Sequence, residues 1–235
     1  MEKIEQALSN PDVSMQETHW EMAEKTRMGK YLTEVETVFI KKNVDFSKTA
    51  LVLDVGAESG RISLIALNTK TNVVSIDIDM FSLRRLRKRT KQAYVVAADA
   101  RYLPFRRDVF DAVFLIEVLD YIPELDVALS DCSRVLKPDS GCILSFGNRS
   151  SFKGKLKSLR SKPYLHSFKG VMQSLPASGL IYRSSLGFNW LLFGRTSQNY
   201  LIPILAWFEQ TLGLRRLRRY GPWVIVHVVK QLNKK

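Results

Sequence analysis

The apolar positions of this chain fall into short runs separated by stretches in which apolar residues return every three or four positions. Leu51–Val55, Val73–Ile76, Tyr94–Ala98, Phe110–Leu119 and Gly141–Phe146 are the runs, rich in Val, Ile and Leu, and their length and composition predict buried strands. Ile62–Leu67 follows the first run in a pattern suited to a helix packing back on a sheet. Residues 1–48 read mainly as helix, with Met28, Tyr31, Leu32, Val35 and Val38-Phe39 along one face. After the fifth run the pattern predicts a loop, a helix over Phe168–Pro176, a strand over Leu180–Leu186, a helix over Ile204–Leu214 and a last strand over Trp223–Val229. Arg219-Tyr220-Gly221-Pro222 supplies the turn before that strand. Strands alternating with helices in this way predict an α/β fold.

The chemistry gathers where the runs end. The first run passes straight into Gly56-Ala57-Glu58-Ser59-Gly60, a turn bracketed by two glycines whose backbones can adopt torsions, or approach a ligand, as a Cβ would forbid. The N–H groups opening the next helix face whatever sits over the turn. Asp77 ends the second run 23 positions after Asp54, and Asp99 follows the third run 22 positions further on. That spacing is what a βαβ unit needs to bring strand tips side by side, and an acid at the second tip can accept hydrogen bonds from both hydroxyls of a ribose. Glu58 stands where a dinucleotide fingerprint has its middle glycine. A carboxylate there repels a pyrophosphate, whereas S-adenosylmethionine has no phosphate and carries a sulfonium and an ammonium.

With these residues in view, the chain resembles the class I S-adenosylmethionine-dependent methyltransferases, in particular the group that includes the ubiquinone and menaquinone biosynthesis methyltransferases (methyltransferase type 11). Asp54-Val55-Gly56-Ala57-Glu58-Ser59-Gly60 is similar to the family's first motif except at Glu58. Ser75-Ile76-Asp77-Ile78-Asp79 is similar to the second, and Ala98-Asp99-Ala100 followed by Leu103-Pro104-Phe105 to the adenine segment. Phe110–Leu119 resembles the fourth strand and its exit, and Arg134–Gly141 the turn into the fifth. The resemblance covers roughly residues 20–148 well and the rest loosely.

It implies a Rossmann-like three-layer αβα sandwich around a seven-stranded, mostly parallel sheet whose last strand is antiparallel and inserted between the fifth and sixth. It also implies S-adenosyl-L-methionine as cofactor, with Asp54, Gly56, Ala57 and Gly60 at the loop, Asp77 with Ile78 at the ribose, Asp99 with Ala100 at the adenine, and Glu117 toward the methionine end or the acceptor. Residues 1–48 would form a helical lid, with Arg27 or Lys30 meeting the cofactor's carboxylate or remaining solvated helix charges. Residues 49–148 would form the cofactor-binding core, and 149–235 a basic, aromatic part completing the sheet and the acceptor site within one structural domain.

Methyl transfer from a sulfonium needs alignment more than acid–base machinery. Where the acceptor must lose a proton, His166, in Tyr164-Leu165-His166-Ser167-Phe168, is the base the sequence favours, with His19 in the lid its rival; His227 reads as structural.

Composition sharpens the question of the acceptor. The 235 residues, 46% of them hydrophobic, are enough for one buried core. Met1–Asn10, with Glu2 and Glu5, is not a basic-then-apolar leader, and the expected place is the cytoplasm. Cys132, in the helix before Arg134, and Cys142, in the fifth strand, have neither metal-ligand nor disulfide-framework spacing.

The net charge of +13 is one-sided. Residues 140–235 hold 16 Lys and Arg against Glu209 alone, giving +15, and residues 1–139 carry 20 − 22 = −2. An anionic partner is the expectation. Phe188–Phe193 and Tyr200–Phe208 set aromatics and leucines beside Arg215, Arg216, Arg218 and Arg219, which suits a segment lying in an anionic membrane surface. Arg195, Gln198 and Asn199 interrupt the run and argue against spanning. Packing of the last strands, or RNA with exposed aromatics stacking on bases, would use the same residues. The basic run Arg84–Lys91 reads as a solvated helix face. The expected function is methyl transfer to a small, hydrophobic or lipid-linked acceptor, with tRNA or rRNA as the alternative acceptor and a noncatalytic cofactor-binding scaffold as the third reading.

Overall fold

A computed structural model describes residues 17–160 and 164–232. Its elements in chain order are α1 (His19–Glu24), α2 (Arg27–Asn43), β1 (Leu51–Val55), α3 (Arg61–Leu67), β2 (Asn72–Asp77), α4 (Met80–Arg89), β3 (Tyr94–Ala97), β4 (Phe110–Leu115), α5 (Leu125–Val135), β5 (Leu136–Gly147), α6 (Phe152–Arg160), α7 (Phe168–Ser174), β6 (Leu180–Phe188), α8 (Ile202–Thr211) and β7 (Trp223–Lys230). The first 16 residues of the expected lid lie outside the described residues.

The seven strands form one sheet in the order β3-β2-β1-β4-β5-β7-β6. Pairings from β3 through to β5 are parallel, and β7 lies antiparallel between β5 and β6. This is the expected Rossmann-like sandwich, with the inserted last strand in its expected place. Strand alternation sends side chains to two cores. Leu53 and Val55 of β1, Val113 and Leu115 of β4 and Leu144 and Phe146 of β5 face α5 and α7 on one side, meeting Leu129, Cys132 and Val171. Val52, Phe114, Ile143 and Ile225 face the other side, under Leu32, Val35, Phe39 and Ile40 of α2.

Two stretches differ from the sequence expectation. The predicted loop after β5 holds α6, where the Ser151 hydroxyl accepts the Gly154 N–H at 2.9 Å as an N-cap. Its lysines obscured a helical period that the cap signals. Helix α8 begins at Ile202 rather than Ile204, because Pro203 sits in the first turn, where its missing N–H costs no helical bond.

The basic run on α4 is only partly a solvated face. Arg85 holds Glu21 through Nε at 3.0 Å and Nη2 at 2.7 Å, and Arg89 reaches Glu24 at 3.0 Å. Both acids belong to α1, so α4 docks the short helix beside the sheet's carboxyl edge. A capping box at Thr18 and Glu21 starts α1.

Candidate functional site: a carboxylate-edged cavity at the strand tips

Strand β1 has β2 on one side and β4 on the other, so the chain reverses its direction of winding between them. Crevices beyond the carboxyl ends of strands at such a point are where open α/β sheets bind ligands. Here a cavity of about 740 Å³ opens there, lined by residues that include Asp54, Gly56, Ala57, Glu58, Asp77, Ile78, Asp99, Ala100, Glu117, His19 and Trp20. Gly60 stands behind it as N-cap of α3.

The loop is built on backbone that only some residues tolerate. Gly56 and Gly60 have φ of +68° and +90°, and an added Cβ would stand 2.3 Å from Val118 Cγ2 and 2.2 Å from Leu86 Cδ1 respectively. Glu58 has φ +47° without being glycine. Its N–H donates to Asp77 Oδ2 at 2.9 Å, and its carboxylate accepts the Trp20 N–H of α1 at 3.0 Å. The residue that departs from the family pattern therefore braces the loop on one side and holds α1 on the other.

Asp77 Oδ1 accepts the Asp79 N–H at 2.9 Å. Each of its oxygens thus takes one backbone donor and keeps capacity for one ligand hydroxyl. Burial is the largest influence on this carboxyl and pushes its pKa upward. Asp99 is held by Arg101, whose Nη2 lies 2.7 Å away, and this partner lowers its pKa. Asp54 is buried under α3, accepts the Ser63 hydroxyl at 2.5 Å, and burial raises its pKa to about 7.

The opposite wall carries Arg61, Glu117 and Arg195, with Glu36 fully buried behind it. Arg61, buried, hydrogen-bonds Glu36 of α2 and lies 3.9 Å from Glu117, which in turn accepts from Arg195. Trp20 is sandwiched by the two guanidiniums, with centroid distances of 3.6 Å to Arg61 and 4.5 Å to Arg195. Glu117 has φ +62°, an N–H bonded to Ser145 Oγ at 2.9 Å, and a buried Oε1 without a hydrogen-bond partner. Desolvation pushes its pKa up to about 8, outweighing the pull of Arg195. A buried, unsatisfied acceptor facing a cavity is costly unless a ligand donor completes it.

The predicted residues separate in the structure. Asp54, Gly56, Ala57, Asp77, Ile78, Asp99, Ala100, Glu117 and His19 line the cavity. Burial, followed by Arg195, pushes the His19 pKa below the usual imidazole range. His166 stands outside the lining, its Nε2 3.0 Å from the carbonyl oxygens of both Leu119 and Ile122, where it fixes the exit of β4. Lys30 and Arg27 are exposed on α2 and are not among the lining residues. The arginines that do line the cavity, Arg61, Arg101 and Arg195, were missed in the sequence. The signal for the first was Glu36, a charge on the buried face of α2 that requires a counter-charge. Among the described residues no cluster of three or more His, Cys, Asp or Glu could hold a metal ion.

A doubly wound sheet with carboxylates at successive strand tips and a glycine-bounded first loop defines a nucleoside-cofactor-binding α/β domain. Residues 53–144 match the family described as Methyltransferase domain. The demethylmenaquinone methyltransferase of Streptomyces avermitilis is 32% identical over 105 residues, covering 45% of this chain and 46% of that protein. The malonyl-[acyl-carrier protein] O-methyltransferase of Geobacter sulfurreducens is 29% identical over 136 residues, covering 55% and 47%. The chain thus spans about half the length of the curated relatives it matches. A solved S-adenosylmethionine-dependent methyltransferase of Thermotoga maritima has the same fold, with a TM-score of 0.65 at 17% identity over 90% of this chain and 93% of its own. Residues 53–144 thus carry the Methyltransferase domain match, on a chain with the fold of a solved S-adenosylmethionine-dependent methyltransferase.

Proposed function

We propose that the protein transfers a methyl group from S-adenosylmethionine to a small, hydrophobic or lipid-linked acceptor. The carrying observation is the row of carboxylates around one cavity, together with the orphaned Glu117 Oε1. The donor set fits the cofactor. Asp77 would take the ribose hydroxyls, Asp99 and the Ala100 N–H the adenine, and Glu117 the ammonium of the methionine end. Arg195 would meet the methionine carboxylate. When bound, the cofactor supplies an activated methyl on a positively charged sulfur.

The protein's part is then to align and to exclude water. Trp20 and Ile116, with Tyr121, Ile122 and Tyr164, give the cavity an apolar portion suited to a hydrophobic acceptor. His19, kept neutral by its lowered pKa, can accept a proton from an acceptor that has one to lose. The two relatives named above are described as acting on a demethylated menaquinone and on a malonyl group held by a carrier protein, which agrees with an acceptor of this kind. RNA as the acceptor is the second reading, resting on the +15 of residues 140–235 and the exposed aromatics there.

Calorimetry with S-adenosylmethionine tests the cofactor site. Asp77→Ala removes two charge-assisted ribose bonds and the acceptors of two loop N–H groups, a loss of about 3 kcal/mol, or roughly a hundredfold in Kd. Unchanged affinity would remove Asp77 from the site. Transfer of labelled methyl from the cofactor into fractionated cell extract tests the acceptor. Label in lipid or small-molecule fractions is the expected result, label in RNA selects the second reading, and binding without transfer to any fraction overturns the enzyme.

A further inference from the structure

Helix α8 is built inside out. Its one charged residue, Glu209, is buried, accepting from the Tyr31 hydroxyl at 2.6 Å, the Trp190 N–H at 3.0 Å and Arg215 Nε at 3.0 Å. The face turned to solvent is apolar. Trp207 is 60% exposed and Phe208 45%, their rings 5.0 Å apart, and Ile204 and Leu212 are exposed beside them. Soluble monomers rarely expose a contiguous apolar surface of this extent without a partner for it. The ion-paired anchor at Glu209 shows that this orientation is specified rather than a loose helix: rolling α8 over to bury the aromatics would pull Glu209 away from all three donors.

Charge identifies the partner. Arg216, Arg218 and Arg219 follow α8 directly and are exposed, and the part of the chain that contains them carries +15. Between α8 and these arginines there is no acidic side chain other than the buried Glu209. Aromatics and leucines on one helix, followed directly by arginines, are the composition of a segment that lies in the interface of an anionic bilayer. No helix among the described residues is long and apolar enough to cross a membrane, which leaves lying on the surface as the available mode. The segment leading into α8 also carries Arg195 into the cavity wall, seven residues before the helix begins.

We propose that the α8 face docks the protein on an anionic lipid surface, with Trp207 and Phe208 in the headgroup region and Arg216, Arg218 and Arg219 on the phosphates. This docking is independent of methyl transfer and would supply lipid-soluble acceptors to the cavity.

Sedimentation with vesicles of phosphatidylcholine alone and of phosphatidylcholine with phosphatidylglycerol tests it on the full chain. Binding to the anionic vesicles is expected to fall at least tenfold in W207A/F208A. For R216Q and R219Q, the loss is about fivefold each on anionic vesicles, with no change on neutral ones, as follows from about 1 kcal/mol per basic residue. All the substituted residues are on the surface, so S-adenosylmethionine affinity and thermal melting should stay at wild-type values; this separates loss of docking from loss of fold or of the cofactor site. Three results would overturn the proposal: failure to sediment with either vesicle, equal binding by W207A/F208A, or a concentration-dependent dimer dissociated by W207A/F208A in a protein that ignores vesicles. Salt-sensitive binding to RNA without vesicle binding would assign the arginines to a nucleic acid instead.

Discussion

Glu58 holds α1 through a single bond, and replacing it by glycine separates two effects that point in opposite directions. The carboxylate accepts the Trp20 N–H at 3.0 Å and is half-buried, a charge-assisted bond of about 2 kcal/mol. Losing it acts on the local opening of α1, since Arg85, Arg89 and the capping box remain. The second effect is backbone strain. Glu58 sits at φ +47°, which costs a non-glycine residue on the order of 1 kcal/mol and costs glycine almost nothing. E58G is therefore expected to speed hydrogen exchange at the Trp20 amide about thirtyfold, following from 2 kcal/mol. Global stability should change by less than 1 kcal/mol, because relief of strain offsets much of the loss. E58Q keeps a neutral acceptor and the strain, so exchange should rise only about fivefold. Exchange measured by mass spectrometry, alongside urea unfolding, reads both quantities. Wild-type exchange across α1 in E58G would refute the latch, and a global destabilisation well above 2 kcal/mol would show that Glu58 supports the core instead.

Two further outcomes follow from the site. Gly60→Ala forces a Cβ into Leu86 at φ +90° and should lower stability by about 2–4 kcal/mol in denaturant melts, from strain plus overpacking; a loss under 0.5 kcal/mol would show the loop to be plastic. Glu117, its pKa raised to about 8 by desolvation, is largely protonated in the apo protein at pH 7, and a cationic ligand beside it lowers that pKa. Cofactor binding should then release up to about one proton at pH 7, falling toward zero as the pH passes well above 8. Calorimetry in buffers of different ionisation enthalpy reads this, and E117Q must abolish most of the release. The same sign applies to the apo fold: a buried acid with a raised pKa contributes most at low pH, and that contribution is lost as the pH rises through the folded-state value.

The sheet was legible because its central strands are buried on both faces and so appear as short runs dominated by Val, Ile and Leu, with Gly56 and the acids at or near their ends. The order of β5, β7 and β6 came from the family resemblance, since no local pattern says which neighbour a strand chooses. The acid edge of the cavity was legible for the same reason as the strands: Asp54, Asp77 and Asp99 are fixed by the elements that carry them. The cationic wall was not. Arg61, Arg195 and Glu36 come from three separate segments and meet only through tertiary packing, around the Glu117 that the family resemblance had already marked. Arg85 and Arg89 looked solvated because their partners, Glu21 and Glu24, lie on a six-residue helix more than sixty positions earlier. Lys30 was chosen by its place in a motif, yet it lies on the outer face of α2, whose inner face is taken by Met28, Tyr31 and Leu32.

Strand β7 is the last strand in the sequence and yet lies inside the sheet. During synthesis β6 therefore emerges with no strand to join, since β7 is its one neighbour among the described residues. The cofactor edge formed by β1 to β4 can assemble first, while β6 and α8 wait for Trp223–Lys230 to bridge them to β5. Trp223 also lies 5.3 Å from the Arg195 guanidinium. A nascent chain stopped short of Trp223 would lose two strands rather than one, and with them the support for the cavity's Arg195 wall, although every residue of the glycine loop would already have been made.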